Sequence, residues 1–482
     1  MMTVTENLVK VALNTVQTKC AAQNYETNIS CHISTGSDMG NMGHGRKQFL
    51  DILRACEIWL DTKAAKFLST PLVSTSLPPH FYVSADKSTV HRVTNQAIVV
   101  CPIIAGKRQA IPVQAPCVYD LEDIDNGITE ATADKLADDV YDTISSTYSI
   151  GDDTLAQSWQ GTVCDGQYQA GMFEEKLNGL RKKNDPVFDR VIWDPPHSVN
   201  LAAEDVLSGR SSEFFARLVS RSSRIHQMFN RGKMLALAIA KSQAVQSQCK
   251  RLLVTSRACS TRFFTSQYHE FEKLMTSLPV YIETFRENKY NEIKEYEIAG
   301  KDCVIDMCGT LDVMRPAIEM LVKLQYLQVP IWKICVWSSK VIRELSQVAT
   351  LSLTNPAEQF GYLHGSMNEI SKGKYKGVKL VPGWLLVGTE TDENKETIYR
   401  WIVRDQKDCE NDLKQLAVDL AESLNSRYEQ SVTQMQEYLT SLDLDSLVLH
   451  LCGERLSISV VLTYLFTLTT CSVVSSIRFK NV

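Results

Sequence analysis

The chain has 482 residues, 44% of them apolar and 22% charged, with a formal net charge of −5. That length implies two to three domains, or one domain with a large insertion, and the ordinary composition excludes global disorder and a protein of many membrane spans. Fourteen cysteines occur without a basic-then-apolar signal in 1-MMTVTENLVKVALNTVQTKC-20, so they are expected to be reduced thiols inside a cell. No Cys-x-x-Cys pair occurs, which leaves zinc ribbons, RING-type sites and thioredoxin-like redox centres poorly supported.

In chain order, residues 1–47 carry a short amphipathic stretch and then the Gly- and Ser-rich 33-ISTGSDMGNMGHGRK-47, read as a flexible lead-in. The spacing of Leu50, Ile52, Leu53, Ile58, Trp59, Leu60, Phe67 and Leu68 predicts an amphipathic helix over 48–68. The segments 81-FYVSAD-86, 96-QAIVVCPII-104 and 109-QAIPV-113 are short and rich in β-branched residues, which predicts an antiparallel three-strand meander. An acidic stretch with Asp120, Glu122, Asp123 and Asp125 precedes a helix over 130–148. Strand 158–166, helix 169–183, strand 189–193 and a helix from about Ser198 follow. This order predicts an α/β region over 48–209 with one mixed sheet and helices on its faces.

Downstream the pattern is helical over 213–244, 266–285, 310–325 and 331–351, giving a basic and helical region over 210–362. A Gly- and Lys-rich variable segment occupies 363–410, and C-terminal helices over 411–455 precede an uncharged tail at 456–482. Its Ser, Thr and β-branched content fits a buried strand pair better than a membrane span, with a tail anchor as the minor alternative.

Two features carry chemistry. Asp86 and Asp165 close strand-like segments expected to be neighbours, and hard carboxylate oxygens held at adjacent strand ends suit Mg²⁺. The plainer reading is that each Asp opens a turn. Between Arg210 and Arg262 stand eleven Lys or Arg residues against one acid, Glu213. That local charge of +10 suits a phosphate backbone, with Arg217, Arg221, Arg224, Arg231, Lys233, Lys250, Arg251, Arg262 and the aromatic Phe263 as candidate nucleic-acid contacts. The alternative, a solvated helix face, usually mixes both signs.

The order of 83-VSADKST-89, 162-TVCDGQYQAGM-172 with 178-NGL-180, 193-WDPPHSVNL-201 and 261-TRFFTSQYHEFEKL-274 resembles the catalytic core of hAT-superfamily transposases and the host proteins derived from them. The stretch 310–334 resembles that family's inserted helical domain, and 422-ESLNSRY-428 resembles the helix behind it. The resemblance covers roughly 80 to 430 and implies an RNase H-like fold. In it, Asp86 and Asp165 match the first two acids of an Asp-Asp-Glu triad that binds two Mg²⁺ ions for phosphodiester chemistry. The family's third acid has only 453-GERLS-457 as an echo, so Glu454 is a poor candidate, and Phe263 stands where the family has Trp. The family's first His and its Cys are replaced by Trp193 and Asp194. His197 matches its second His, and Pro195 and Pro196 give a rigid lead into the helix, so Trp193, Asp194 and His197 are expected to be structural.

The resemblance thus implies a transposase-derived protein of the nucleus that binds DNA or protein partners and lacks catalysis, with no cofactor. An active Mg²⁺-dependent strand transferase is the alternative, and a SUMO-pathway adaptor a weaker one. The missing dimerisation region leans toward a monomer, and no membrane partner is expected.

Overall fold

The computed structural model describes residues 2–432 apart from short stretches, the longest being 183–190, 245–251 and 253–262. The chain divides into two compact units, 1–192 and 193–482. Glu454 and the uncharged tail lie outside the described residues. Among the described residues, no helix is long and apolar enough to cross a membrane.

The first unit opens with α1 (Met2–Gln17), α2 (Asn24–Ser34) and α3 (Arg46–Ser69). Residues 1–47 are therefore largely helical and packed, not the flexible lead-in expected. Val11, Ala12, Tyr25, Ile29, Met39 and Phe49 form a small core of their own, with Tyr25 and Phe49 rings 5.1 Å apart. Then come β1 (Phe81–Val90), β2 (Val93–Ile104), β3 (Lys107–Arg108), β4 (Ile111–Gln114) and β5 (Cys117–Tyr119). The acidic stretch is α4 (Leu121–Asp125), where Asp120 and Asp123 form a reciprocal capping box. The series ends with α5 (Ala133–Tyr148), α6 (Asp152–Ser158), β6 (Trp159–Cys164), α7 (Phe173–Leu180) and β7 (Val191–Trp193), the last reaching across the division between units.

The strands form a mixed sheet in the order β3-β2-β1-β6-β7, with β4 and β5 also on β2. β1 pairs antiparallel with β2 from Phe81↔Pro102 to Val90↔Val93, and parallel with β6 as far as Ala85↔Cys164. This is the mixed α/β sheet with flanking helices expected of an RNase H-like core, followed by a large helical region. Period-two alternation sets its faces: Phe81, Val83, Ala85, Ile98 and Val100 are buried, while Tyr82, Ser84 and Asp86 turn to the other side. Trp159 is fully buried, stacks on Tyr141 at 6.3 Å, and sits 5.0 Å under the guanidinium of Arg181, which donates to Trp159 O at 2.8 Å.

The second unit is mostly helical: α8 (Pro195–Ser208), α9 (Ser212–Phe229), α10 (Gly232–Ala244), α11 (Phe263–Asn288), α12 (Glu292–Ala299), α13 (Lys301–Leu324), α14 (Ile331–Val348), α15 (Gly361–Ser371) and α16 (Gln406–Val432). Between α15 and α16 lie the hairpins β8 (Lys374–Tyr375) with β9 (Val378–Lys379) and β10 (Trp384–Thr391) with β11 (Thr397–Val403). α13 is the axis of this unit, buried along most of its length in one core that extends from Val199 to Tyr428. The single stretch read as helical over 213–244 is broken at Gly232, whose φ of 71° no L residue adopts cheaply. Of the C-terminal helices expected over 411–455, the described residues hold one, α16.

The Gly- and Lys-rich segment has a structural use. Pro279 lies inside α11 and has no N–H, so the carbonyl of Met275, four residues earlier, loses its helical donor. The hydroxyl of Tyr375 and the ammonium of Lys376 both donate to that oxygen at 3.2 Å. The hairpin turn that places them has Lys376 and Gly377 at φ 46° and 82°, the left-handed pair a two-residue hairpin requires.

Candidate functional site

Asp86 and Asp165 come together on neighbouring strands. The last parallel pair between β1 and β6 is Ala85↔Cys164, and each aspartate is the next residue of its strand path. Asp165 does follow the end of β6. Asp86 does not close β1 as expected, because antiparallel pairing with β2 continues through Asp86↔Ala97 to Val90, tied at its end by a 2.8 Å hydrogen bond between Thr89 and Thr94. It stands instead where β6 leaves β1, exposed on the face away from the buried side of the sheet.

Beside this pair is a residue that sequence reasoning passed over. Tyr168 follows Asp165 by one turn, its N–H donating to Asp165 O at 3.2 Å, and is 1% exposed. Its ring meets Phe173 edge-on at 4.9 Å, and the Lys87 ammonium lies 5.5 Å from the ring centre. Burial first, then the acidic groups of Cys164, Asp165, Asp86 and Asp139, push the phenol pKa well above its usual range. The buried hydroxyl makes no hydrogen bond among the described residues, nor does Asp139 Oδ2. The available signal was the aromatic in 165-DGQY-168, set among polar residues where a turn alone would need none.

Two carboxylates are suitable hard-oxygen donors for Mg²⁺. Among the described residues, no three His, Cys, Asp or Glu side chains gather into a group able to hold a metal ion.

The basic segment is placed differently from its sequence reading. Four of its arginines, Arg210, Arg217, Arg221 and Arg224, meet acids from distant parts of the chain, and of these Arg217 and Arg221 turn into the helical unit. Arg221, 3% exposed at the side chain, donates to Asp302 Oδ2 at 2.7 Å. Arg217 reaches Asp412 at 2.8 Å, and Arg404 reaches the same carboxylate at 2.7 Å. Arg404 also donates to both oxygens of Asp306 at 2.8 and 3.0 Å. Arg224 pairs with Glu297 at 2.8 Å, and Arg210 with Asp419 at 2.8 Å. The six charges of Arg217, Arg221, Arg404, Asp302, Asp306 and Asp412 thus balance inside one network. Burial nevertheless raises the Asp306 carboxyl against the pull of Arg404, and pushes the neighbouring Cys303 thiol up to about 12.

Of the other candidate contacts, Arg231 and Lys233 are exposed at the α9–α10 break. Lys250, Arg251 and Arg262 lie outside the described residues, as does the side chain of Phe263, which starts α11.

The stretch from Trp193 to Leu201 runs from the end of β7 into the first half of α8. Pro195 and Pro196 do not precede the helix but form its first turn, where a missing N–H costs nothing. Asp194 is the N-cap residue and His197 is half-buried in that turn. This helix is held by the 422-ESLNSRY-428 segment: Arg427 grips Asp205 through contacts of 2.8 to 3.1 Å, Ser423 donates to Asp205 at 2.6 Å, and the Tyr428 hydroxyl donates to Pro195 O at 2.8 Å. Two segments singled out separately in the sequence are therefore packing partners.

No family model matches the chain, and no curated protein matches it.

Proposed function

We propose that this is a transposase-derived protein that acts in the nucleus by binding DNA or protein partners, without catalysis of its own. The observation that carries the reading is the placement of Asp86 on β1 and Asp165 just past the end of the adjacent β6, in a sheet ordered β3-β2-β1-β6-β7, the arrangement in which an RNase H-like core holds its first two acids. Asp86 and Asp165 would hold a divalent ion if one binds, and the ion would supply charge neutralisation for a phosphate. A complete two-metal site calls for a third carboxylate, and the chain's poor echo of the family's glutamate segment speaks for binding over catalysis.

DNA contact belongs to Arg231, Lys233 and the basic residues from Lys250 to Arg262. Arg217, Arg221 and Arg224 already serve carboxylates of the chain. Titration of the chain against duplex DNA over a range of salt should give affinity that falls with salt, and Arg231→Ala with Lys233→Ala should reduce the salt slope by about 2. Affinity indifferent to salt would remove the DNA part of the proposal.

The exposure of Asp86 favours a second reading, an active Mg²⁺-dependent strand transferase. Cleavage and strand transfer are measured with Mg²⁺ and Mn²⁺ on the chain and on Asp86→Asn with Asp165→Asn. Metal-dependent activity that the double variant loses would replace the non-catalytic reading with this one.

A further inference from the structure

α3 has a face that nothing in its own unit covers. Phe49 packs on α1 and α2, and Ala64 and Leu68 are buried further along, but the turn between is open: Ile58, Trp59 and Leu60 are 67%, 60% and 55% exposed. Asp51, Ala55, Ile58 and Thr62 follow one another at spacings of four, three and four, so they form a single stripe, all exposed, with Trp59 beside it and Lys66 continuing it. This is the spacing of a helix–helix seam, with small or apolar residues at its centre and charges at its ends.

The charges identify the occupant. A second α3 laid antiparallel, with a two-fold axis passing between Ile58 and Trp59, puts Lys66 as far beyond the axis as Asp51 lies before it. Each Asp51 then faces a Lys66 of the other copy. On one flank, Arg54 of each copy comes within a turn of Asp61 of the other. Along one helix these charges are only loosely paired: Asp51 and Arg54 meet at 4.0 Å, with side chains 57% and 74% exposed. An isologous contact of this kind uses every complementary pair twice.

We propose that the chain self-associates through an antiparallel α3–α3 seam centred on Ile58 and Trp59. Spanning Asp51 to Lys66, about 24 Å of helix at 1.5 Å per residue, it forms a weak and reversible dimer at the small end of interface sizes.

Sedimentation velocity of the full chain over about 1 to 200 µM, the range in which an interface this small associates, tests this. The wild-type chain shifts from monomer to dimer with concentration, and Ile58→Asp with Trp59→Asp stays monomeric at every concentration. Asp51→Lys alone and Lys66→Asp alone each dimerise about tenfold more weakly, since each places like charges opposite one another twice. An equimolar mixture of these two single variants recovers association, because in the mixed dimer both ends of the seam again join opposite charges. All substituted positions are exposed, and unchanged circular dichroism and melting confirm that the fold is kept. A wild-type chain that stays monomeric throughout overturns the proposal, as does a dimer unaffected by the Ile58 and Trp59 substitutions. Failure of the mixture to recover overturns the antiparallel register.

Discussion

The two units handle charge in opposite ways. In the sheet unit, the acids of interest stand at the margin: Asp86 is exposed, Asp165 half-buried, and the buried group beside them, the Tyr168 hydroxyl, makes no hydrogen bond among the described residues. In the helical unit the charges are interior, and three arginines and three aspartates drawn from α9, α13, the end of β11 and α16 close on one another. The difference teaches that the sign of a sequence run does not give its direction. A stretch of net +10 looks like a surface for phosphate, yet several of its arginines serve carboxylates as far as 212 residues away in the chain.

Four measurements break or sharpen this contrast. The largest effect is expected at Asp306, fully buried and gripped twice by Arg404. Asp306→Ala takes two close contacts of a buried guanidinium and leaves it Asp412 alone at short range, which should cost about 3 kcal/mol in chemical denaturation. A loss below about 1 kcal/mol, the range of a surface pair, would erase the distinction between the units.

Next is Asp312, whose carboxylate accepts from the N–H groups of Tyr362 and Leu363 at 3.1 and 2.9 Å. Burial outweighs these donors and raises its pKa to about 6. The folded state therefore holds this proton more tightly than the unfolded chain does. The group's contribution is fully present below pH 3.8 and is lost as pH rises through about 6. The difference is worth about 3 kcal/mol at 1.36 kcal/mol per pH unit. Asp312→Asn should remove this slope from a stability–pH curve, and an unchanged slope would contradict the assignment.

Arg427→Ala tests a partly exposed grip, with side chains of Arg427 and Asp205 30% and 44% open, and should cost about 1 kcal/mol. Tyr168→Phe closes the series with a change of sign. Removing a buried hydroxyl that has no hydrogen-bond partner among the described residues should leave stability unchanged or raise it by about 0.5 kcal/mol. A clear loss of stability would reveal a partner for that hydroxyl and bring Tyr168 into the chemistry of the acid pair.

What was legible in the sequence follows from the range of the forces involved. Alternation along 81–104 depends on each strand's two faces, so β1 and β2 could be read directly, and whether the aspartates at 86 and 165 are neighbours became a question of strand order alone. The N-terminal helices were harder. Their core is six side chains, from Val11 to Phe49, interrupted by a Gly- and Ser-rich stretch whose composition suggests a lead-in, although Met39 within it is buried. The extent of β1 past Asp86 depends on its partner β2. The fate of the basic run depends on Asp302, Asp412 and Asp419, which local composition cannot bring near. Tyr168 was visible only as an aromatic in a polar turn, and its isolation belongs to packing.

The bond between α8 and α16 has a consequence for biosynthesis. Asp205 and Arg427 are 222 positions apart, and Arg217 waits for Asp412. At roughly 5–20 residues per second, a ribosome that has made α8 and α9 needs roughly 10–40 s more before α16 exists. During that interval the buried faces of α8 and α9, with Phe214, Phe215 and Leu218 among them, are without their final cover. Exposed apolar faces of this kind invite aggregation during synthesis, and α16 is the element that closes over α8 at the end.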